Sequence, residues 1–276
     1  MMRRRSGQIL VVVFWMLGIV SLTVGAVVMR SGHEARLSRF PLETIQREAI
    51  AEAAVQQAIA LLKRDEDAAV DHLGESWATG EEAGEAVLDN IPVGPGFFTA
   101  ALIDEGRKLH LNTSTADALK RLIEAVNVAG VNAQQIAEAI IDWRTATDPE
   151  TGVCAGQNPA CHNGPLASVD ELRLVPGMTP ELFDALAPYV TIYGEPLPNV
   201  NTSDPWVLRA WGLTDAQVDE IVTRRQTQPL NAYPELGVQS TAFTVSVEAW
   251  FAASSLRTRL HAVIDRDGNI LSWLPQ

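Results

Sequence analysis

The chain of 276 residues carries 34 acidic against 21 basic residues, a formal net charge of −13. So acidic a surface is poorly suited to gripping phosphate backbones. A hydrophobic fraction of 47% excludes a disordered chain, and the length suffices for one large domain or two modest ones beyond an N-terminal segment.

At the N-terminus Arg3 to Arg5 give way, across Ser6 and Gly7, to an uncharged stretch from Ile9 to Met29. These 21 residues, at about 1.5 Å of helical rise each, reach across a bilayer core of roughly 30 Å. A secretory signal has an apolar region of about 7 to 15 residues and a small-x-small exit. The longer run here, without such an exit, predicts a retained single-pass anchor over about residues 9–29. Arginines lie on both flanks (Arg30, Arg36 and Arg39 on the far side), so charge alone leaves the orientation nearly tied.

The basic leader ending in Gly7 resembles the type IV prepilin signal. That resemblance implies cleavage between Gly7 and Gln8 by a prepilin peptidase, removal of residues 1–7 and a cytoplasmic N-terminus. The fifth residue of such a mature chain is Val12, where most pilins and pseudopilins carry Glu. A carboxylate in hydrocarbon costs on the order of 2.5 kcal/mol, so it is kept where a partner meets it, in pilins the terminal amine of a neighbouring subunit. A subunit at the end of a filament has no such neighbour to satisfy.

Further along, Leu42, Ile45, Ala49, Ala53, Gln56, Ile59 and Leu62 recur in a helical rhythm, predicting that the helix runs over residues 8–64, with Pro41 as a site for a kink. Residues 65–95 read as polar loop. Extended runs at Phe97 to Ile103 and Lys108 to Leu111 flank Asp104-Glu105-Gly106-Arg107, the pattern of a hairpin. Near the C-terminus Phe243, Val245 and Val247, then Leu260, Ala262 and Ile264, alternate before an Asp265–Gly268 turn, predicting antiparallel strands. The turn motif is read as a turn rather than a calcium loop.

Between the strand regions, residues 113–240 are mostly helical and contain an echo. Asn112-Thr113-Ser114 returns as Asn201-Thr202-Ser203, and "QQIAEAIIDWR" is answered by "AQVDEIVTRR". The Asn-Thr-Ser clusters are expected to cap the helices they precede. "SVDELRLVPGMTPELFDALAPYV" resembles a helix-hairpin-helix, with Leu172 and Val175 packing, Pro176-Gly177 turning and Thr179 capping. Nucleic-acid-binding hairpins use a second Gly and nearby cations. Here Thr179, Glu181 and Asp184 stand in those places, so no nucleic-acid partner is expected.

Catalytic signatures are absent from the sequence: the five histidines are scattered, with no H-E-x-x-H, nucleophile elbow or phosphate loop. His110 reads as an outward strand residue, and Trp206 and Trp211 as packing residues. No enzyme is expected.

Taken in order, "LNTS", "DWR…DP", "NGPLASVDELRLVPGMTPELFDALAPYVTIYG" and "NVNTSDPWVL" resemble the K-type minor pseudopilin family of type II secretion systems, which also lacks the pilin Glu. The resemblance covers nearly the whole chain. It implies an α+β fold: a long transmembrane pilin helix, a pilin-like antiparallel head (residues 65–112 and 241–276), and a large inserted all-α domain (113–240) with tandem helix-hairpin-helix or SAM-like repeats. It implies a tip subunit of the periplasmic pseudopilus, joined to the I-type and J-type minor pseudopilins and other pseudopilins, held in inner-membrane lipid with its head in the periplasm. Contacts with secreted cargo or the secretin follow from the same resemblance. The alternative is a membrane-anchored helix-hairpin-helix DNA receptor of the competence type.

Related proteins bind calcium near the loop after Trp143. Here Asp142, Asp148, Glu150, Asp170 and Glu171 offer hard oxygen ligands, but Thr145 and Thr147 replace the family's acidic phrase. These acids either ligate calcium or line a solvated loop. In an oxidising periplasm Cys154 and Cys161 should pair. A zinc site from both cysteines and His162 lacks an evident fourth ligand.

Overall fold

The structure, a computed structural model, describes the backbone of residues 6–65, 67–78, 87–145 and 164–275, with side chains omitted before 11 and over 26–41. A single helix, α1 (Ser6–Leu62), runs through Pro41 without a break in its assignment. Val11 to Gly25 are all exposed. Among the described residues, no helix is long and apolar enough to cross a membrane.

The C-terminal half of α1 buries a face that the rhythm caught only at its end, through Ile59 and Leu62. Leu42 and Ile45 are 55% and 61% exposed, whereas Ile50, Ala51, Ala54, Val55, Ala58, Ile59 and Leu62 are buried. Alanines at 51, 54 and 58 let the helix lie close on a sheet, which supplies Phe98, Ala100, Leu102, Phe243, Val245, Val247, Leu260, Ala262 and Ile264 to the same core. Each large side chain so buried contributes about 1.5–3 kcal/mol. Alternation places the Val245 and Ala262 faces correctly; on the helix, the exposed aliphatics Leu42 and Ile45 obscure a contact face that mixes alanines with Ile50, Val55, Ile59 and Leu62.

Five antiparallel strands form that sheet: β1 (Leu88–Val93), β2 (Gly96–Asp104), β5 (Ala242–Trp250), β6 (Arg257–Asp265) and β7 (Ile270–Pro275), in that spatial order. The hairpin partner of β2 is β1, inside the stretch expected to be loop. The expected hairpin around Asp104 to Arg107 does not form. Asp104 accepts the Gly106 N–H at 2.6 Å, winding Glu105–Arg107 into a 3-10 turn that leads the chain out of the sheet. The segment before β1 also contributes to the core, as Trp77 packs edge-on to Phe243 with ring centroids 5.1 Å apart.

Strands β2 and β5 pair from Phe97↔Trp250 to Asp104↔Phe243, so the chain leaves the middle of the sheet and re-enters beside its point of exit. Between these points lie α2 (Ala116–Val126), α3 (Ala133–Arg144), α4 (Pro180–Leu186), α5 (Pro205–Trp211) and α6 (Asp215–Arg225). A short parallel pair joins β3 (Leu109–His110) to β4 (Val190–Thr191). Two cores serve these helices, one around Leu119, Leu122, Ile140 and Leu182, the other around Val200, Leu208, Val218 and Leu230. His110 is 8% exposed, not outward-facing, because its strand runs inside the insert. Trp211 packs on the second of these cores, whereas Trp206 is 41% exposed.

The hairpin-like segment begins with a 3-10 helix, Val169–Leu174, rather than an α-helix. Leu172 and Val175 are buried as expected, Gly177 turns with φ +85°, and Thr179 accepts the Leu182 N–H at 3.2 Å.

Candidate functional site

The insert is fastened to the head by buried polar groups drawn from both. Asp104, at the end of β2, accepts the Thr202 hydroxyl with its second oxygen. Asn199 Nδ2 donates to Ser240 Oγ at 3.0 Å and to the Asp71 carbonyl at 3.2 Å. Asp71 accepts the Ser240 N–H at 2.6 Å and pairs with Arg266, which also holds Asp65 at 2.7 Å. Glu105, buried beside them, takes Lys108 Nζ at 2.5 Å and the hydroxyls of Thr191 and Thr244, one from the insert and one from β5. Gly106 sits so tightly here that a Cβ would come within 2.6 Å of Ser240 Oγ.

Such burial raises the proton affinity of the acids. Desolvation pushes Asp104 up to about 6, against the opposing hydrogen bonds from Thr202 and the Gly106 N–H. It pushes Glu75 up to about 7, with the charges of Asp65 and Asp71 adding to the rise. Asp71 is raised by burial despite the Ser240 N–H and Arg266. Asp65, Asp71 and Glu75 form the metal-spaced group among the described residues, and Arg266 already supplies its positive charge.

The proposed calcium ligands are only partly described. Asp148 and Glu150 lie outside the described residues, as do Thr147, Cys154, Cys161 and His162. Asp142 lies in the last turn of α3, Asp170 lies 3.5 Å from Arg173, and Glu171 accepts the Ala167 N–H at 2.9 Å. Among the described residues these three are not gathered at metal-ligand spacing. Thr145 donates to the Ile141 carbonyl at 2.7 Å. Gly7 and Gln8 lie in the first turn of α1, and Val12 is 54% exposed.

At the hairpin, Arg173 lies 3.6 Å over the Phe183 ring and 3.4 Å from Asp184, so this cation faces the chain's own groups. Glu181 is held below the usual carboxylate range by its own backbone N–H and the Thr179 hydroxyl.

An open apolar surface lies elsewhere. A cleft of about 430 Å³ runs between α1 and the β6–β7 edge, lined by Ile45, Ala49, Glu52, Thr258, Trp273 and Pro275. Strand β7 closes the sheet order, and its Ile270, Leu271 and Leu274 are 47–57% exposed. Helical rhythm carried a trace of this surface, since it selected Leu42, Ile45 and Ala49, which are the residues left uncovered.

Comparison with known proteins agrees with this architecture. A family model described as type II secretion system (T2SS), protein K matches residues 101–195, from β2 through β4. Type II secretion system protein K of Klebsiella pneumoniae is 29% identical over 233 residues, covering 74% of this chain and 68% of the relative. The chain is thus similar to the type II secretion protein K family. A chain in the crystal structure of the GspK-GspI-GspJ complex from enterotoxigenic Escherichia coli shares this fold, with a TM-score of 0.67 at 20% identity over 87% of this chain and 99% of the other. Nothing in these matches supports the DNA-receptor alternative.

Proposed function

We propose that this chain is a tip subunit of the type II secretion pseudopilus, acting by assembly and not by catalysis. The supporting observation is its fold, a helix-backed antiparallel sheet interrupted between adjacent strands by a helical insert, in common with the chain from the GspK-GspI-GspJ complex. In this reading α1 is anchored in the inner membrane near its N-terminus, the head is periplasmic, and residues 1–7 are removed after Gly7. The I-type and J-type minor pseudopilins are its partners, and priming of the filament is its role. Val12 suits an end position because no neighbouring amine lies above it to be met by a carboxylate. Cys154 and Cys161 pair across the loop that calcium orders in relatives, and Asp142, Asp148, Glu150, Asp170 and Glu171 are the acids available to the ion if it is retained.

Co-expression of the full chain with its I-type and J-type partners tests the reading. A stoichiometric three-way complex by size exclusion with light scattering is expected, and three separately eluting chains overturn it. Mass spectrometry of the membrane-extracted chain should find Gln8 at its N-terminus.

A further inference from the structure

The second half of the insert lies beyond residues 101–195, the part matched by the family model, and it carries a pocket of its own. A cavity of about 410 Å³ is bounded by Trp211 and Leu213 at the α5–α6 junction, Glu220 on α6, and the turn Tyr233-Pro234-Glu235. Its walls are fixed. Trp211 donates its indole N–H to the Glu235 carbonyl at 2.9 Å, Leu213 N–H reaches the Leu208 carbonyl at 3.2 Å, and Trp211 and Tyr233 both pack on the core around Val218 and Leu230. Glu235 is held at φ +59°, an uncommon angle for a residue with a side chain.

The charge of this pocket is unbalanced. The Glu235 side chain is exposed and has no partner among the described residues, while Glu220 reaches Arg224 only at 3.5 Å on an open surface. An exposed pair of that kind is weak and is readily exchanged for another cation. No Lys or Arg lines the cavity. Two aromatic side chains and two carboxylates around one concavity match a planar cation, which stacks on rings and donates hydrogen bonds to carboxylates at once. The net charge of −13 adds a long-range attraction for a basic partner.

We propose that the Trp211–Tyr233–Glu235 pocket binds an arginine side chain exposed on a partner protein. The pocket lies on the insert, away from the cleft between α1 and β7, so it provides a second and separate contact. Guanidinium is favoured over ammonium because the pocket offers ring faces as well as charge.

The test uses the full chain in detergent, labelled with 5-fluorotryptophan, the Trp211 signal being assigned by Trp211→Phe. N-acetyl-arginine amide is titrated against N-acetyl-citrulline amide, which has nearly the same shape without the charge. Arginine amide is expected to shift the Trp211 signal saturably and citrulline amide at least tenfold more weakly. Glu235→Gln and Tyr233→Leu should each weaken binding at least fivefold while the signals of the other tryptophans stay in place. If one variant disturbs those signals, the other decides. A Trp211 signal that does not move, equal response to both amides, or unaltered binding by a well-folded variant overturns the proposal.

Discussion

Asn201 grips the backbone of Leu230 with both ends of its amide, just as Asn112 grips that of Leu166. In each pair Oδ1 accepts the leucine N–H at 2.8 Å and Nδ2 donates to the leucine carbonyl at 3.0 Å. The correspondence extends outward: the carbonyls of His110 and Asn199 receive Ser114 and Ser203, and Arg144 and Arg225, ending α3 and α6, donate to the carbonyls of those same serines. The echo in the sequence is therefore one hydrogen-bonded circuit built twice. Helix capping, expected of the Asn-Thr-Ser clusters, falls instead to the next residues, Thr115 and Asp204.

Replacing Asn201 by Ala removes both bonds and leaves a buried N–H and carbonyl of Leu230 without them, a cost of about 2–4 kcal/mol. Asn112→Ala should cost about 1 kcal/mol less, since its site is only partly buried and water can enter. Denaturant unfolding measures the difference, and hydrogen exchange at Leu230 localises it. Equal losses for the two variants would count against burial as the cause.

Arg266 neutralises Asp71, which is 0% exposed, and simultaneously holds Asp65. Arg266→Ala leaves Asp71 buried with no counter-charge and should destabilise the chain by about 3–5 kcal/mol. Asp71→Asn in the same background should recover a good part of that loss, because the uncompensated charge is gone. The double-mutant cycle reads the coupling directly.

Stability should fall as pH rises from about 4 to about 7. Asp104 is raised from 3.8 to about 6 and Glu75 from 4.5 to about 7, so in that interval the folded chain holds protons that the unfolded chain has released. The sign is set by linkage: where the folded state binds more protons, each unit of pH costs stability, and the contribution is complete below the unfolded values. Unfolding free energies between pH 4.5 and 7.5 should therefore decline less steeply in Asp104→Asn and Glu75→Gln than in the parent. Parallel slopes in all three chains would rule these groups out.

How far the sequence could be read depended on what kind of interaction fixed each part. Val245, Val247, Ala262 and Ile264 revealed their strands because one face is buried and the other is not, which imposes period two. The β1 strand stayed hidden, since Leu88–Val93 lies at the sheet margin and includes Pro92 and a positive-φ Asn90, which mask any alternation. The turn at Asp104 resembled a hairpin because Asp-Glu-Gly-Arg serves either purpose. What decided it was Thr202, Asn199 and Ser240, which lie far along the chain and are not visible from the turn itself. The Asn-Thr-Ser repeat was legible as a repeat but not as a clamp, for the leucines it holds follow at different distances in its two occurrences. Asp71, Glu75 and Trp77 lay in a stretch dismissed as polar loop, their importance arising wholly from what packs over them.

The cleft beside α1 gives the assembly reading its sharpest test. Ile45, 61% exposed, and Ala49, also exposed, line the α1 wall of this cleft, so neither contributes much to the monomer, and substitutions there should alter its stability by no more than about 0.5 kcal/mol. An apolar anchor covered by a partner is worth more than that, often 2 kcal/mol or above when lost. Ile45→Glu combined with Ala49→Glu should therefore weaken association with the I-type and J-type chains at least tenfold while leaving the melting temperature of the free chain unchanged. Leu174→Glu supplies the control, since Leu174 is 56% exposed but lies on the insert, where the same gain of charge should leave the complex intact. If the control weakens the complex as much as the double variant, the added charge and not the cleft is responsible, and if neither does, the partners dock on another face.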